Sequence, residues 1–152
     1  QLVSSLDGRL VATFTWQGDR YGHQLSIDGK FVGGSVESDA AENWPKSPPI
    51  QQISLEQIDG RQMVLGVGAA GRSHWSISAG PCPDDERALK FDLACRCKET
   101  PGFLGSCYRL ETPLQLSVLE GQSKCEDSVQ QILATPTDEA TRRWSYRLVC
   151  RP

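Results

Sequence analysis

The chain has 152 residues, a formal charge of −3 and a sequence pI near 5.4. That length suits one domain with a continuous core, and the acidic balance excludes electrostatic capture of nucleic acid, which needs clustered Lys and Arg to displace counterions from phosphates. No apolar run reaches the roughly 20 residues of a membrane-spanning helix, so the sequence predicts a soluble chain with no signal or transmembrane segment and no membrane partner.

The first pattern along the chain is RLVATFTW, where Leu10, Ala12, Phe14 and Trp16 alternate with Val11, Thr13 and Thr15, the period of a half-buried strand. Gly18-Asp19 is turn chemistry, and YGHQLSI returns as a second strand. Asp28-Gly29 predicts a two-residue hairpin turn, because both central positions of the favoured turn need positive φ. It leads into KFVGGSV, so residues 1–38 read as a three-stranded meander. The stretch DAAENWPKSPP, with three prolines and no periodicity, marks a long surface loop.

IQQISLEQI and QMVLGVG then flank Asp59-Gly60-Arg61 as a second hairpin, and SHWSISA and ALKFDLACRC lie on either side of the proline-rich GPCPDDER. ETPGFLG turns the chain, SCYRL and LQLSVLE add two short strands, and RRWSYRLVC closes a count of nine or ten. One segment departs from this habit. In SKCEDSVQQILA, Ser123 and Glu126 have capping-box spacing, and Cys125, Val129, Ile132 and Leu133 share one helical face. The fold expectation is therefore an all-β, antiparallel, largely meandering β-sandwich or flattened β-barrel. It carries one short amphipathic helix near residues 124–134 that covers Cys125, in a single domain spanning 1–152.

Residues 66–71, GVGAAG, match the GxGxxG spacing of a dinucleotide fingerprint. That fingerprint works by opening a helix whose N-terminus receives the pyrophosphate. Here it is followed by RSHWSISAG, which is rich in Ser and strand formers, so no cofactor is expected. Gly66 and Gly68 read instead as places where a strand bends or bulges, with Ala69 to Arg72 as the connection to the next strand.

Of the six cysteines, Cys95 and Cys97 continue the alternation of Leu89, Phe91 and Leu93, and Cys150 continues that of Trp144, Tyr146 and Leu148. All three read as small buried apolar residues. Alternation along a strand points Cys95 and Cys97 the same way but well apart, and Cys-x-Cys on a strand is not zinc spacing, so no metal site is assigned. Cys82 and Cys107 read as near loops and able to pair in an oxidising compartment. Arg142, Arg143, Arg147 and Arg151 read as the solvated face of the last strand.

Two polar hairpins hold both histidines of the chain: WQGDRYGHQ and GRSHW. If their turns share one end of the β structure, Arg20 and Arg72 offer bidentate donors to an anionic ligand, and Trp16 and Trp75 supply a stacking wall. The candidate ligand-binding residues are thus Trp16, Asp19, Arg20, His23, Arg72, His74 and Trp75. No catalytic residue is assigned: no GxSxG nucleophile elbow is present, and Asp84, Asp85 and Glu86 read as a solvated loop. The chain reads as a non-catalytic module for a small-molecule or protein ligand. One alternative is a hydrolase-like enzyme using His23 or His74 as general base, with or without metal assistance, which requires His23 and His74, or His74 and a cysteine, to converge. Another is a structural or accessory domain of a larger protein, for which QMVLGVG is the candidate exposed edge strand.

Overall fold

The structure, a computed structural model, describes residues 1–39 and 41–151. Its strands are β1 (Leu2–Ser4), β2 (Leu10–Trp16), β3 (Tyr21–Ile27), β4 (Lys30–Ser35), β5 (Gln52–Ile58), β6 (Arg61–Ala70), β7 (Ser73–Pro81), β8 (Ala88–Arg96), β9 (Gly105–Leu110), β10 (Leu114–Glu120), β11 (Gln122–Glu126), β12 (Val129–Leu133) and β13 (Thr141–Cys150). They form two antiparallel sheets, the first ordered β1-β2-β3-β4-β9-β12-β11 and the second β10-β13-β8-β7-β6-β5. Among the described residues there is no helix, and so none long and apolar enough to cross a membrane.

The amphipathic helix expected near residues 124–134 is instead the hairpin β11–β12, with Cys125 paired to Gln130 and Glu126 to Val129. Its turn is Asp127-Ser128, with φ of 51° and 64°. These are the backbone angles of the Asp28-Gly29 turn (50° and 81°) and the Asp59-Gly60 turn (52° and 76°). The first two turns announce themselves by Gly. The third places Ser in the left-handed region, so its sequence carries no hairpin signal. Ile132 is buried and Cys125 exposed, so the shared apolar face of the helical reading does not form. A second pairing decides the conformation: β12 also bonds to β9 through Gln130–Tyr108 and Ile132–Ser106, giving this segment a sheet to join that local periodicity cannot reveal.

Inward-facing side chains of both sheets make one core. Leu10, Ala12 and Phe14 of β2, Leu25 and Ile27 of β3, Tyr108 of β9 and Ile132 of β12 meet Trp75 and Ile77 of β7, Phe91 and Leu93 of β8, and Trp144, Tyr146 and Leu148 of β13. Each large apolar side chain removed from water in this way contributes about 1.5–3 kcal/mol. The alternation predicted in β2, β8 and β13 is the physical origin of the arrangement, because residues two apart share a sheet face.

The segment expected to be a surface loop is a loop, but not a superficial one. Between β4 and β5 the chain crosses from the first sheet to the second, and Pro45 and Ser47 to Ile50 are buried. The Tyr21 amide donates to Ile50 O (2.7 Å), the Ser47 hydroxyl accepts from the Cys107 amide (3.1 Å), and Trp44 packs edge-on against Trp75 at 5.8 Å. This crossover covers one end of the space between the sheets.

It also explains GVGAAG. β6 runs unbroken to Ala70 and pairs regularly with β7, so Gly66 and Gly68 mark no bend, and Ala69 and Ala70 belong to the strand. A Cβ on Gly68 would fall on the Pro49 carbonyl, and one on Gly66 would meet Ile50, Ile53 and Ile77. Both glycines are there for close backbone approach. QMVLGVG is not an edge either, since β6 is paired on both sides; β5 and β10 are the edges of that sheet.

Candidate functional site

The seven residues singled out by sequence do not line one cleft. Residues 43–51 touch both hairpins, so the turns lie at one end of the molecule: Ile50 bonds Tyr21, and Asn43 lies against Gly71. The side chains diverge. Trp16 is half exposed and packs on Tyr21, while Trp75 is buried in the core. Arg72, in the turn between β6 and β7, and His74, on β7, are both exposed. Arg20 turns inward with its side chain only 4% exposed, paired to Asp19 (Nη2–Oδ2 3.2 Å) in a cleft with Gln17, Glu37, Ser38 and Asp39 that Arg72 does not reach. His23 points between the sheets and His74 away from them, so the two histidines do not converge.

His23 belongs to a buried polar chain. Its Nε2 is 2.6 Å from the Tyr108 hydroxyl, which is 2.6 Å from the Tyr146 hydroxyl. Tyr146 also bonds Ser106, whose hydroxyl accepts from Trp144 Nε1 (2.9 Å). Phe14 and Phe91 lie on either side of the imidazole, with ring centroids 4.9 and 5.3 Å away. Burial lowers the His23 pKa to about 4, so the ring is neutral and its Nε2 donates to or accepts from the Tyr108 hydroxyl according to its tautomer. Burial likewise raises both tyrosines far above the usual phenol range. Glu37 stands at the boundary, lining both the Arg20 cleft and the inner space. Burial pushes its carboxyl up to about 7, and a hydrogen bond from Ser35 and the charge of Arg20 draw it only partly back. The enclosed cavity beside these groups measures about 10 Å³, the size of one water and too small for a substrate.

The outward face of the second sheet is open. Strand register arranges it in rows: Ser54, Leu65, Ser78, Asp92 and Ser145, then Gln52, Val67, Ser76, Ala94 and Arg143, then Ala69, His74, Arg96 and Thr141. In the first two rows the middle strands β7 and β8 present the short side chains Ser76, Ser78, Asp92 and Ala94. Longer ones stand on either side, Leu65, Val67 and Gln52 on one and Arg143 on the other. A trough results, in two adjoining parts of about 530 and 570 Å³. One part holds Asp92 with Ser54, Ser76 and Ser78. The other is lined by His74, Arg96, Arg143, Gln51, Gln52 and Thr141, and no carboxylate lines it. Among the described residues, Arg96 and Arg143 have no ion-pair partner.

Of the sequence candidates only His74 and Trp75 line this trough, and Trp75 turns its side chain into the core. The remainder was visible only as the polar half of several alternating strands: Asp92 and Arg96 opposite Phe91 and Leu93, Arg143 opposite Trp144. The signal that could have found it is the coincidence of small polar residues at outward positions of neighbouring strands. The inner chain had less signal still, since Glu37, Ser106, Tyr108 and Tyr146 lie on three separate segments.

Cys82, just beyond β7, clusters with Ala88 and Val149, while Cys107 lies in β9 against Ser47, and all six thiols are free. One pair departs from expectation. Cys95 and Cys97 are not well apart. β8 ends at Arg96, the Cys97 amide bonds Ala140 O (2.8 Å), and the turned Cys97 brings its Sγ to 3.8 Å from that of Cys95. No group of three or more His, Cys, Asp or Glu is placed to hold a metal ion among the described residues. Comparison with family models, curated proteins and solved structures finds no match to this chain.

Proposed function

We propose that the chain is a ligand-binding module, a single all-β domain built as a two-sheet sandwich, whose ligand lies in the trough on the outer face of the second sheet. The observation that carries this reading is the charge layout of the trough. One half presents two guanidinium groups without ion-pair partners and an imidazole and is lined by no carboxylate, and the other, which Arg143 also borders, presents hydroxyls and Asp92 over the apolar flank of Leu65 and Val67. Such a surface suits an elongated ligand with an acidic group, carboxylate, sulfate or phosphate, at one end. Guanidinium forks bind those oxygens bidentately, and the short side chains of β7 and β8 let the ligand body approach the sheet. The volume is that of an ordinary small-ligand site.

The test is chemical-shift mapping of the isotope-labelled protein titrated with a sulfated oligosaccharide, a carboxylated oligosaccharide and the neutral oligosaccharide of equal length. The expected result is saturable shifts at Ala94, Arg96 and Arg143 with an acidic ligand, at least tenfold weaker with the neutral one and weakened about tenfold by Arg143→Gln, the loss of roughly one charge-assisted bond. Shifts confined to other surfaces, or equal binding of charged and neutral forms, would overturn the assignment.

A further inference from the structure

The geometry points to Cys95 and Cys97 as a dithiol that closes reversibly to an intramolecular disulfide, with a low-molecular-weight disulfide as the oxidant it takes. The sulfurs are 3.8 Å apart and are the only sulfur–sulfur contact among the described residues. The two differ in access: Cys95 is fully buried in the core and Cys97 is partly exposed beyond the strand end. That asymmetry separates an attacking thiol from a resolving one. Because Cys97 lies past the last residue of β8, held to the neighbouring segment by its amide bond to Ala140 O, its side chain can close the remaining gap to a bond of about 2.05 Å without unpairing the central strands. A ring spanning so few residues is strained, which makes such a bond easily reduced and suits a reversible link rather than a permanent staple.

The exchange balances in two steps. The Cys97 thiolate attacks one sulfur of the small disulfide RSSR, forming Cys97–S–S–R and expelling one RS⁻, which takes up a proton from solvent. Cys95 then gives up its proton to solvent and attacks the Cys97 Sγ, forming the Cys95–Cys97 bond and expelling the second RS⁻. The protein dithiol is oxidised by two electrons and RSSR is reduced to two RSH. Burial holds the Cys95 thiol far above its ordinary range, which makes it a poor first attacker, so the order of the steps follows from access and ionisation together. Cys82, Cys107 and Cys150 are buried without a sulfur neighbour, and Cys125 is exposed but alone.

The experiment incubates the folded protein with oxidised glutathione, quenches in acid, alkylates after unfolding and maps each cysteine by peptide mass. Expected is the loss of both the Cys95 and Cys97 thiols with no glutathione retained on either, while Cys125 takes a glutathione adduct and reports that the oxidant is active. Cys95→Ala should arrest at a stable adduct on Cys97, and Cys97→Ala should leave Cys95 unmodified. A stable glutathione adduct on Cys97 of the unaltered protein, or free thiols at both positions while Cys125 is modified, would overturn the proposal, and both readings come from the native chain whether or not the variants fold.

Discussion

The protein carries two polar regions, one between the sheets on β3, β9 and β13 and one on the outer face of the second sheet on β7, β8 and β13, and they differ in what their groups bond to. Between the sheets, His23, Tyr108, Tyr146, Ser106 and Trp144 satisfy one another in a chain beside a cavity of about 10 Å³. On the outer face, Arg96, Arg143 and His74 line a solvent-open part of the trough some fifty times larger. Buried polar groups must be paired within the protein or they cost stability, so they end up specifying the packing. Exposed groups are held in place by the sheet and leave their bonding capacity free. Strong pKa shifts therefore mark the inner region, yet the room for a ligand lies in the outer one.

The largest test acts on the crossover that seals the inner region. Gly68→Ala would drive a methyl group into the Pro49 carbonyl, and neither backbone can move without lifting residues 45–50 off the core. The expected cost is about 4 kcal/mol or more, read as a lowered urea midpoint with unchanged slope. A loss below about 1 kcal/mol would show that the crossover does not seal the inner region.

A second test uses the opposed shifts of His23 and Glu37. The folded pKa of His23 is about 4 against an ordinary 6.5, so the unfolded chain protonates first and stability falls as pH drops from 6.5 to 4. The folded pKa of Glu37 is about 7 against an ordinary 4.5, so the unfolded chain loses its proton first and stability falls as pH rises from 4.5 to 7. Each shift corresponds to roughly 3 kcal/mol. Between pH 4.5 and 6.5 the two slopes oppose, and these groups leave the native protein's stability nearly level. Glu37→Gln should expose the His23 slope, with stability falling by about 3 kcal/mol from pH 7 to pH 4. His23→Gln, whose amide nitrogen can still reach Tyr108, should expose the reverse, with stability rising by a similar amount from pH 7 to pH 4.5. Thermal unfolding across that range decides it, and parallel pH profiles for all three proteins would refute the pairing.

Much of this architecture was legible in the residues, and the failures have a common cause. Alternation marked β2, β8 and β13, turn residues delimited most of the other segments in a count of nine or ten against the thirteen strands present, and Gly in Asp28-Gly29 and Asp59-Gly60 located two hairpin turns. β11–β12 was hidden because Asp127-Ser128 adopts the same backbone angles without Gly, and because its decisive partner, β9, lies some twenty residues earlier in the chain. The trough was hidden in the same way. Ser76, Ala94 and Arg143 become neighbours only through strand register, and a turn rich in Trp, Arg and His draws more notice than short side chains scattered over three strands. Arg20 illustrates the reverse error: a residue read as an exposed donor is among the most buried polar side chains, with Nη1 lacking a partner.

The smallest effect on stability is the sharpest test of the comparison. Arg143 extends from β13 beside Ala94 and lines both parts of the trough, and among the described residues it has no ion-pair partner. A charge held by the sheet but bonded to nothing within it contributes little to folding, so Arg143→Gln should shift unfolding free energy by no more than about 0.5 kcal/mol. The same change removes one of the two guanidinium forks of the basic half and should be felt by an acidic ligand alone. A loss of stability comparable to that of Gly68→Ala would mean that Arg143 is held by the fold after all, and that the outer region, like the inner one, spends its polar groups on structure.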